Sequence, residues 1–88
     1  MIFEFDRNKS DLNLQKHGID FISAQRLWEN KVVQLKVTEL PEERYFNFGV
    51  LDGKHWTAVV TYRGTNIRII SVRRSAKKEV EYYENVIK

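Results

Sequence analysis

Cysteine is absent from this sequence, and proline nearly so, with one residue among 88. Without cysteine the chain can form no disulfide, and it supplies neither a thiol nucleophile nor thiolate ligands for zinc. The four glycines stand apart from one another, which excludes a glycine-rich loop that cradles nucleotide phosphates. No apolar run approaches the roughly 18 residues of a membrane-spanning helix, and the N-terminus lacks the basic and apolar regions of a signal peptide. We therefore expect a cytoplasmic protein with no membrane segment.

Histidine is scarce as well, since His17 and His55 are the only two. They are far apart in sequence, neither belongs to a motif with metal-ligand spacing, and no nucleophile elbow is present. We therefore expect no metal site and no cofactor. The content of hydrophobic residues, 42%, and of aromatic residues, 12%, is typical of globular proteins. A chain of this length has room for one core, so we predict a single domain over residues 1–88.

Positive charge is concentrated in one segment. Residues 1–53 carry seven cations and nine acids, and residues 79–88 carry one lysine and three glutamates. Residues 54–78 contain no acid, and their cations are Lys54, Arg63, Arg68, Arg73, Arg74, Lys77 and Lys78. A solvated surface usually mixes both signs. The asymmetry therefore indicates a polyanionic partner, for which RNA is the best candidate.

Helix signals lie at the two ends of the chain. Asp6 is a typical N-cap for a helix that ends near His17, with Gly18 as the stop. Asp20 can cap a second helix, and Ser75 can cap a last one. The second helix has an apolar stripe made of Phe21, Ala24, Leu27 and Trp28.

Strand signals occupy the middle of the chain and a short segment near its start. The predicted strands are residues 3–5, 32–37, Arg44–Leu51, 56–63 and 67–74, with a break at Leu40-Pro41-Glu42. Asp52-Gly53 is a strong hairpin signal, and Gly64-Thr65 marks the next turn. The order β-α-α-β-β-β-β-α predicts an α+β fold with two N-terminal helices, an antiparallel meander and a C-terminal helix.

The two turns define a provisional strand register. Thr61 then lies opposite both Arg44 and Arg68, and Arg63 points to the same face. The same face would carry the row Phe46, Val59 and Ile70, and then His55 with Arg74. The opposite face would carry the row Asn47, Ala58 and Ser71, and then Trp56 with Arg73. Because both faces have an apolar middle, we expect both to be covered.

Arginines that share one face are suited to a phosphate backbone. Guanidinium groups bind phosphate bidentately and stabilise the charge that develops during phosphoryl chemistry. RNA supplies its own nucleophile, the 2′-hydroxyl, so its cleavage needs mainly positioning, electrostatics and a proton carrier. His17, Glu43 and Lys16 are the available proton carriers. A module that binds RNA or a protein without cutting would have almost the same sequence, and this alternative stays open.

The chain resembles the BrnT family from end to end; these are the toxins of bacterial type II toxin–antitoxin pairs. The K-H-G after the first helix, the pair Glu43-Arg44, the triplet Tyr62-Arg63-Gly64 and the run I-R-I-I-S-x-R-R agree with the family in order, type and approximate spacing. The resemblance implies a RelE-like fold and a metal-independent ribonuclease that inhibits translation and growth. It also implies a BrnA-like ribbon-helix-helix antitoxin, through which alone operator DNA would be bound.

The resemblance also guides the choice of site residues. The family's recurrent polar positions are matched here by Lys16, His17, Glu43, Arg44, Arg63, Ser71, Arg73 and Arg74. The family often has alanine and threonine where this chain has Val72 and Lys77. The predicted catalytic residues are His17, Glu43, Arg44, Arg63, Arg73 and Arg74. The predicted RNA contacts are Lys16, Lys54, Arg68, Ser71, Lys77 and Lys78.

Overall fold

The computed structural model describes residues 1–37 and 43–88, so the predicted break at Leu40-Pro41-Glu42 lies outside the described residues. Within them the elements are β1 (Phe3–Glu4), α1 (Arg7–His17), α2 (Phe21–Ala24), a 3-10 helix (Gln25–Glu29), β2 (Val33–Val37), β3 (Arg44–Leu51), β4 (Lys54–Arg63), β5 (Asn66–Arg74) and α3 (Lys77–Ile87). The strands form one sheet in the order β1-β5-β4-β3-β2. Its pairs are antiparallel except for the parallel pair of β1 and β5. The predicted α+β class is confirmed, with one five-stranded sheet and three α-helices in the described residues. No helix in the described part of the chain is long and apolar enough to cross a membrane.

The caps of α1 lie where the sequence predicts them. The Asp6 carboxylate accepts a hydrogen bond from the Lys9 backbone N–H at 3.0 Å. Gly18 ends the helix with a φ of 78°, a left-handed conformation that costs glycine little, and its N–H donates to the Leu14 carbonyl. Because the last turn carries Lys16 and His17, the position of this cap fixes where those two side chains leave the helix.

The second helix begins as predicted but changes its geometry. Asp20 accepts from the Ser23 backbone N–H at 2.7 Å, and α2 continues into the 3-10 helix after one turn. The predicted stripe is nevertheless the packed one: Phe21, Ala24 and Leu27 are buried, and Trp28 packs against them partly exposed. Burial of these side chains, and not regular helical hydrogen bonding, therefore determines the path of this segment.

The main core lies between the helical N-terminal part of the chain and one face of the sheet, called here the core face. Its sheet residues are Leu51, Trp56, Ala58, Val60, Ile67, Ile69 and Val72. On the opposite face, called here the basic face, α3 covers only one part, where Tyr83 packs with Phe48 and Val33. The expectation that both faces are covered thus holds for the core face and for only this part of the basic face.

The strand register agrees with the prediction as far as a β-bulge. Asp52 and Gly53 both have positive φ, 53° and 74°, as the two-residue hairpin requires. Thr61 lies opposite Arg68, as predicted. The register then shifts between Val59 and Val60, so that Val59 lies opposite Ser71 and not opposite Ile70.

Beyond the bulge each predicted pair is displaced by one residue. Thr57 lies opposite Arg73, and Trp56 lies opposite Arg74. The prediction that placed Arg74 with His55, and Arg73 with Trp56, was therefore wrong. The predicted rows that paired Val59 with Ile70, and Ala58 with Ser71, were wrong for the same reason. One extra residue in a strand exchanges the faces of all the residues that follow it in that strand. Arg73 belongs to the basic face and Arg74 to the core face.

Helix α1 is attached to β5 by one buried amide. Asn13 is 6% exposed. Its Nδ2 donates to the carbonyls of Val72 at 2.9 Å and Ile19 at 2.7 Å, and its Oδ1 accepts from the Val72 N–H at 3.1 Å. Asn13 thus satisfies both backbone groups of Val72 as a neighbouring strand would. The basic C-terminal turn of α1 is consequently held beside β5.

The start of α3 differs from the prediction. Ser75 is not the cap, because its hydroxyl forms a hydrogen bond with Thr57 Oγ1 at 2.8 Å. The helix is preceded by Ala76, whose backbone N–H donates to the Glu79 carboxylate at 2.8 Å. The start of α3 is therefore stabilised by the Glu79 carboxylate, which accepts from the N–H of the cap residue, and not by the Ser75 hydroxyl.

Candidate nucleic-acid interface

The basic face carries the arginines that the sequence predicted to lie together. Val37 of β2 pairs with Arg44, and Thr61 of β4 pairs with Arg68. Tyr45 lies opposite Val60, so the next position places Arg44 beside Thr61 in the same row. Arg63 follows two residues after Thr61 on β4 and is exposed. These three arginines surround the end of the basic face that α3 does not cover.

Arg68 is partly neutralised by an acid. Its Nη1 lies 3.8 Å from the Glu4 carboxylate, which also accepts a hydrogen bond from the Asn66 amide at 2.7 Å. Arg44 differs, since its Nε is buried without a hydrogen-bond partner among the described residues. Arg68 therefore faces an acid, whereas the Arg44 Nε has no partner within residues 1–37 and 43–88.

Arg73 reaches over the middle of the basic face. Its Nη1 and Nη2 donate to the two carboxylate oxygens of Glu79 at 2.7 and 2.9 Å. Its guanidinium carbon lies 5.7 Å from the centroid of the Phe46 ring. The ion pair raises the pKa of Arg73 and lowers the pKa of Glu79, whose carboxylate also accepts from Thr57 Oγ1. The bidentate ion pair with Glu79 and the contact with the Phe46 ring thus hold Arg73 in one orientation.

Arg74 lies on the other side of the sheet. Its guanidinium carbon is 5.5 Å from the centroid of Trp56, a buried residue of the main core. The structure therefore does not bring Arg74 together with Arg44, Arg63 and Arg68.

His17 and Ser71 are brought together in one cleft at the edge of the sheet. The cleft has a volume of about 200 Å³ and is lined by Lys9, Leu12, Asn13, Lys16, His17, Ile70 and Ser71. Ser71 lies opposite Val59, which in turn lies opposite Phe46, so the cleft borders the middle of the basic face. Lys9 is a third basic residue here that the sequence did not single out.

The Glu43 carboxylate is engaged elsewhere. It pairs with Lys36 Nζ at 3.1 Å and accepts a hydrogen bond from the Tyr45 hydroxyl at 3.2 Å. Tyr45 belongs to the core face, on which it packs against Tyr62. The contact with Lys36 lowers the pKa of Glu43, which makes its carboxylate a weaker base.

The remaining predicted RNA contacts are dispersed. Lys54 lines a separate pocket of about 260 Å³ between the β3–β4 turn and α2, together with Arg26, Asp52 and Trp56. Lys77 and Lys78 are exposed in the first turn of α3. Within residues 1–37 and 43–88, no cluster of three or more His, Asp and Glu side chains is arranged to hold a metal ion.

Sequence reasoning missed three residues of this region. Glu79 stands three positions after Ala76, the spacing at which a helix-capping carboxylate is expected, so a signal for it was present. Phe46 was placed on the correct face but was treated as core. Asn13 carries no sequence signal, because a polar residue in an otherwise polar helix indicates a solvated position.

Comparisons with known proteins agree with the resemblance in the sequence. The family model of the ribonuclease toxin BrnT of type II toxin–antitoxin systems matches residues 5–79. No curated protein sequence matches the chain. Among solved structures, the chain is similar to the 1.1 Å crystal structure of the Brucella abortus ribonuclease toxin BrnT, with a TM-score of 0.65 and 18% identity over 88% of this chain and 100% of that chain. At this identity the structural likeness shows the fold, whereas the family match covers most of the sequence. The chain belongs to the BrnT family, the ribonuclease toxins of type II toxin–antitoxin systems.

Proposed function

We propose that this protein is a metal-independent endoribonuclease that cleaves cytoplasmic RNA on its basic face and thereby inhibits translation and growth. The observation that carries the proposal is the cleft that places His17 and Lys16 of α1 beside Ser71 of β5. A proton carrier thus lies next to the strand that also holds Arg68 and Arg73. RNA brings its own nucleophile, so these groups suffice for attack by the 2′-hydroxyl.

Phosphate binding is assigned to the arginines at the open end of the basic face. Arg44, Arg63 and Arg68 would hold the backbone on either side of the scissile phosphate, since guanidinium groups bind phosphate oxygens with a fixed geometry. Their charge would also stabilise the extra negative charge of the transition state. Arg74 lies outside this proposed site because it stacks on Trp56 of the core face.

Proton transfer is assigned to His17. Its side chain is exposed at the end of α1 and lines the cleft, so a substrate can reach it. Glu43 is the poorer candidate, since Lys36 holds its pKa below the ordinary value and its carboxylate turns toward the core face. We also infer a RelE-like fold, which the two N-terminal helices, the antiparallel meander and the C-terminal helix support.

The test compares RNA cleavage by the wild type and two variants of α1 in the presence of EDTA. His17→Gln should lower the cleavage rate by about 100-fold or more, the usual contribution of a general base. Gln15→Ala, an exposed position of the same helix, should leave the rate unchanged. Cleavage by His17→Gln at the wild-type rate would remove His17 from the mechanism. Intact RNA that is nevertheless tightly bound by the wild type would support the alternative of a module that binds without cutting.

Growth inhibition gives a second test in cells. Arg63 is exposed at the end of β4, so Arg63→Ala should relieve growth inhibition without unfolding the domain. The circular dichroism spectrum and melting temperature of the variant provide the control for folding. Toxicity equal to the wild type would exclude Arg63 from the site.

Membership of a type II family implies an antitoxin partner. We propose a BrnA-like ribbon-helix-helix protein that lays an acidic or apolar segment on the basic face and so blocks the entry of RNA. Operator DNA would be contacted through the antitoxin alone. RNA cleavage that stops when the product of the neighbouring gene is added would support this arrangement. A structure of the complex in which the basic face stays open would contradict it.

A further inference from the structure

The contacts of Arg73 leave it poorly suited to grip a phosphate. Its Nη1 and Nη2 each donate one hydrogen bond to a carboxylate oxygen of Glu79, at 2.7 and 2.9 Å, and Nη1 also lies 3.4 Å from the Arg74 carbonyl oxygen. The Glu79 side chain is only 16% exposed and is further held by the Ala76 N–H and the Thr57 hydroxyl. An incoming phosphate would compete with this carboxylate, whose adjacent negative charge weakens the attraction of a phosphate to Arg73.

The same contacts leave part of Arg73 exposed. Its guanidinium carbon lies 5.7 Å from the centroid of the Phe46 ring, Glu79 binds both terminal nitrogens, and the Arg73 side chain remains 35% exposed. Planar guanidinium groups stack on aromatic rings and on nucleobases. Because Glu79 and Phe46 already restrict the orientation of the Arg73 guanidinium, little further side-chain entropy is lost when a base stacks on it.

We propose that Arg73 is a stacking platform for a nucleobase, and that Glu79 is the positioning residue that holds it in the stacking plane. The inference rests on the proposed RNA binding. It assigns phosphate contacts and base contacts to different arginines of the basic face. Arg44, Arg63 and Arg68 contact phosphates at the open end, and the base between them lies on Arg73. The half-buried row of Phe46, Val59 and Ser71 forms the floor beside it.

The test measures binding of two oligomers with equal numbers of phosphates. One consists of 2′-O-methyl uridines, which carry bases but lack the attacking hydroxyl, and the other consists of abasic spacers. The ratio of their dissociation constants reports the contribution of the bases, because the charge of the two backbones is equal. The wild type should bind the uridine oligomer about tenfold more tightly, as expected for base stacking.

Two substitutions should lower this ratio for different reasons. Arg73→Lys keeps the charge but removes the plane, so the ratio should fall below about twofold while abasic binding is retained. Glu79→Gln frees the Arg73 fork for phosphate, so the abasic oligomer should bind about threefold more tightly. The second change is a gain of affinity, which a loss of folding cannot produce.

Two control variants should change affinity without changing the ratio. Glu84→Gln removes the same charge from an exposed position of α3 and should strengthen both complexes equally. Arg63→Ala should weaken both equally. Melting temperatures establish that each variant is folded.

The outcomes separate this inference from the proposed function. If Arg73→Lys and Glu79→Gln keep the wild-type ratio, or if the wild type binds both oligomers equally, the stacking platform is refuted while RNA binding stands. If the wild type binds neither oligomer, the proposed RNA site fails and the platform fails with it. A ratio that falls in these two variants alone supports the platform.

Discussion

Asn13→Ala should cost a large share of the stability of this domain. The substitution removes one buried amide that serves three backbone groups, the N–H and C=O of Val72 and the C=O of Ile19. Each buried polar group left without a partner costs about 1–3 kcal/mol. We take about 3 kcal/mol for the whole, because water can reach some of these groups once the side chain is shortened. A domain of this size has a free energy of unfolding of about 5–10 kcal/mol, so the variant keeps about 2–7 kcal/mol of it.

Urea denaturation followed by tryptophan fluorescence measures this difference. The melting temperature should fall by about 12–24 °C, given about 4–8 °C per kcal/mol for a small domain. Gln15→Ala, two positions along the same helix and exposed, is the matched control and should change the free energy of unfolding by less than about 0.5 kcal/mol. A loss below about 1 kcal/mol for Asn13→Ala would refute the view that this amide replaces a strand at the edge of β5.

Three further changes have expected outcomes on stability. Gly49→Ala places a methyl group 3.1 Å from Leu27 Cδ2 in the packed core and should lower the free energy of unfolding by about 1–3 kcal/mol, measured in urea. Asp6→Ala removes the cap of α1 and should cost about 1 kcal/mol by the same measurement. Arg73 holds the pKa of Glu79 below its ordinary value of 4.5, so its contribution is complete above that value and is lost as the pH falls through the lowered pKa. Between pH 7 and pH 3 the melting temperature of the wild type should therefore fall further than that of Glu79→Gln, and parallel curves would contradict this sign.

The elements of the fold could be predicted because their signals are local. Asp6 and Gly18 delimit α1 through contacts within one helical turn, and Asp52-Gly53 sets the hairpin through its own backbone angles. The apolar stripe from Phe21 to Trp28 identified the buried face even where the helix changed its type. Such features depend on a few neighbouring residues, which a sequence displays directly.

The β-bulge, in contrast, could not be predicted from the sequence. No feature of the sequence at Val59, Val60 or Ile70 marks the shift, which arises from the way β4 and β5 pair around the core. Its consequence is nevertheless large, since it exchanges the faces of Arg73 and Arg74. The sequence therefore predicted correctly that Arg44, Arg63 and Arg68 share one face, but its prediction of the faces of Arg73 and Arg74 was wrong. The link between Asn13 and Val72 was equally out of reach, because it joins residues 59 positions apart.

The attachment of α1 to β5 also determines the stage of synthesis at which the proposed activity can appear. His17 and Lys16 are synthesised early, but the opposite wall of their cleft is formed by Ile70 and Ser71. The helix has no strand to dock on until Val72 has been added to the chain. A nascent or prematurely terminated chain therefore holds its histidine on a helix that lacks the support of β5. The proposed activity accordingly appears late in synthesis, once the last third of the protein has been made.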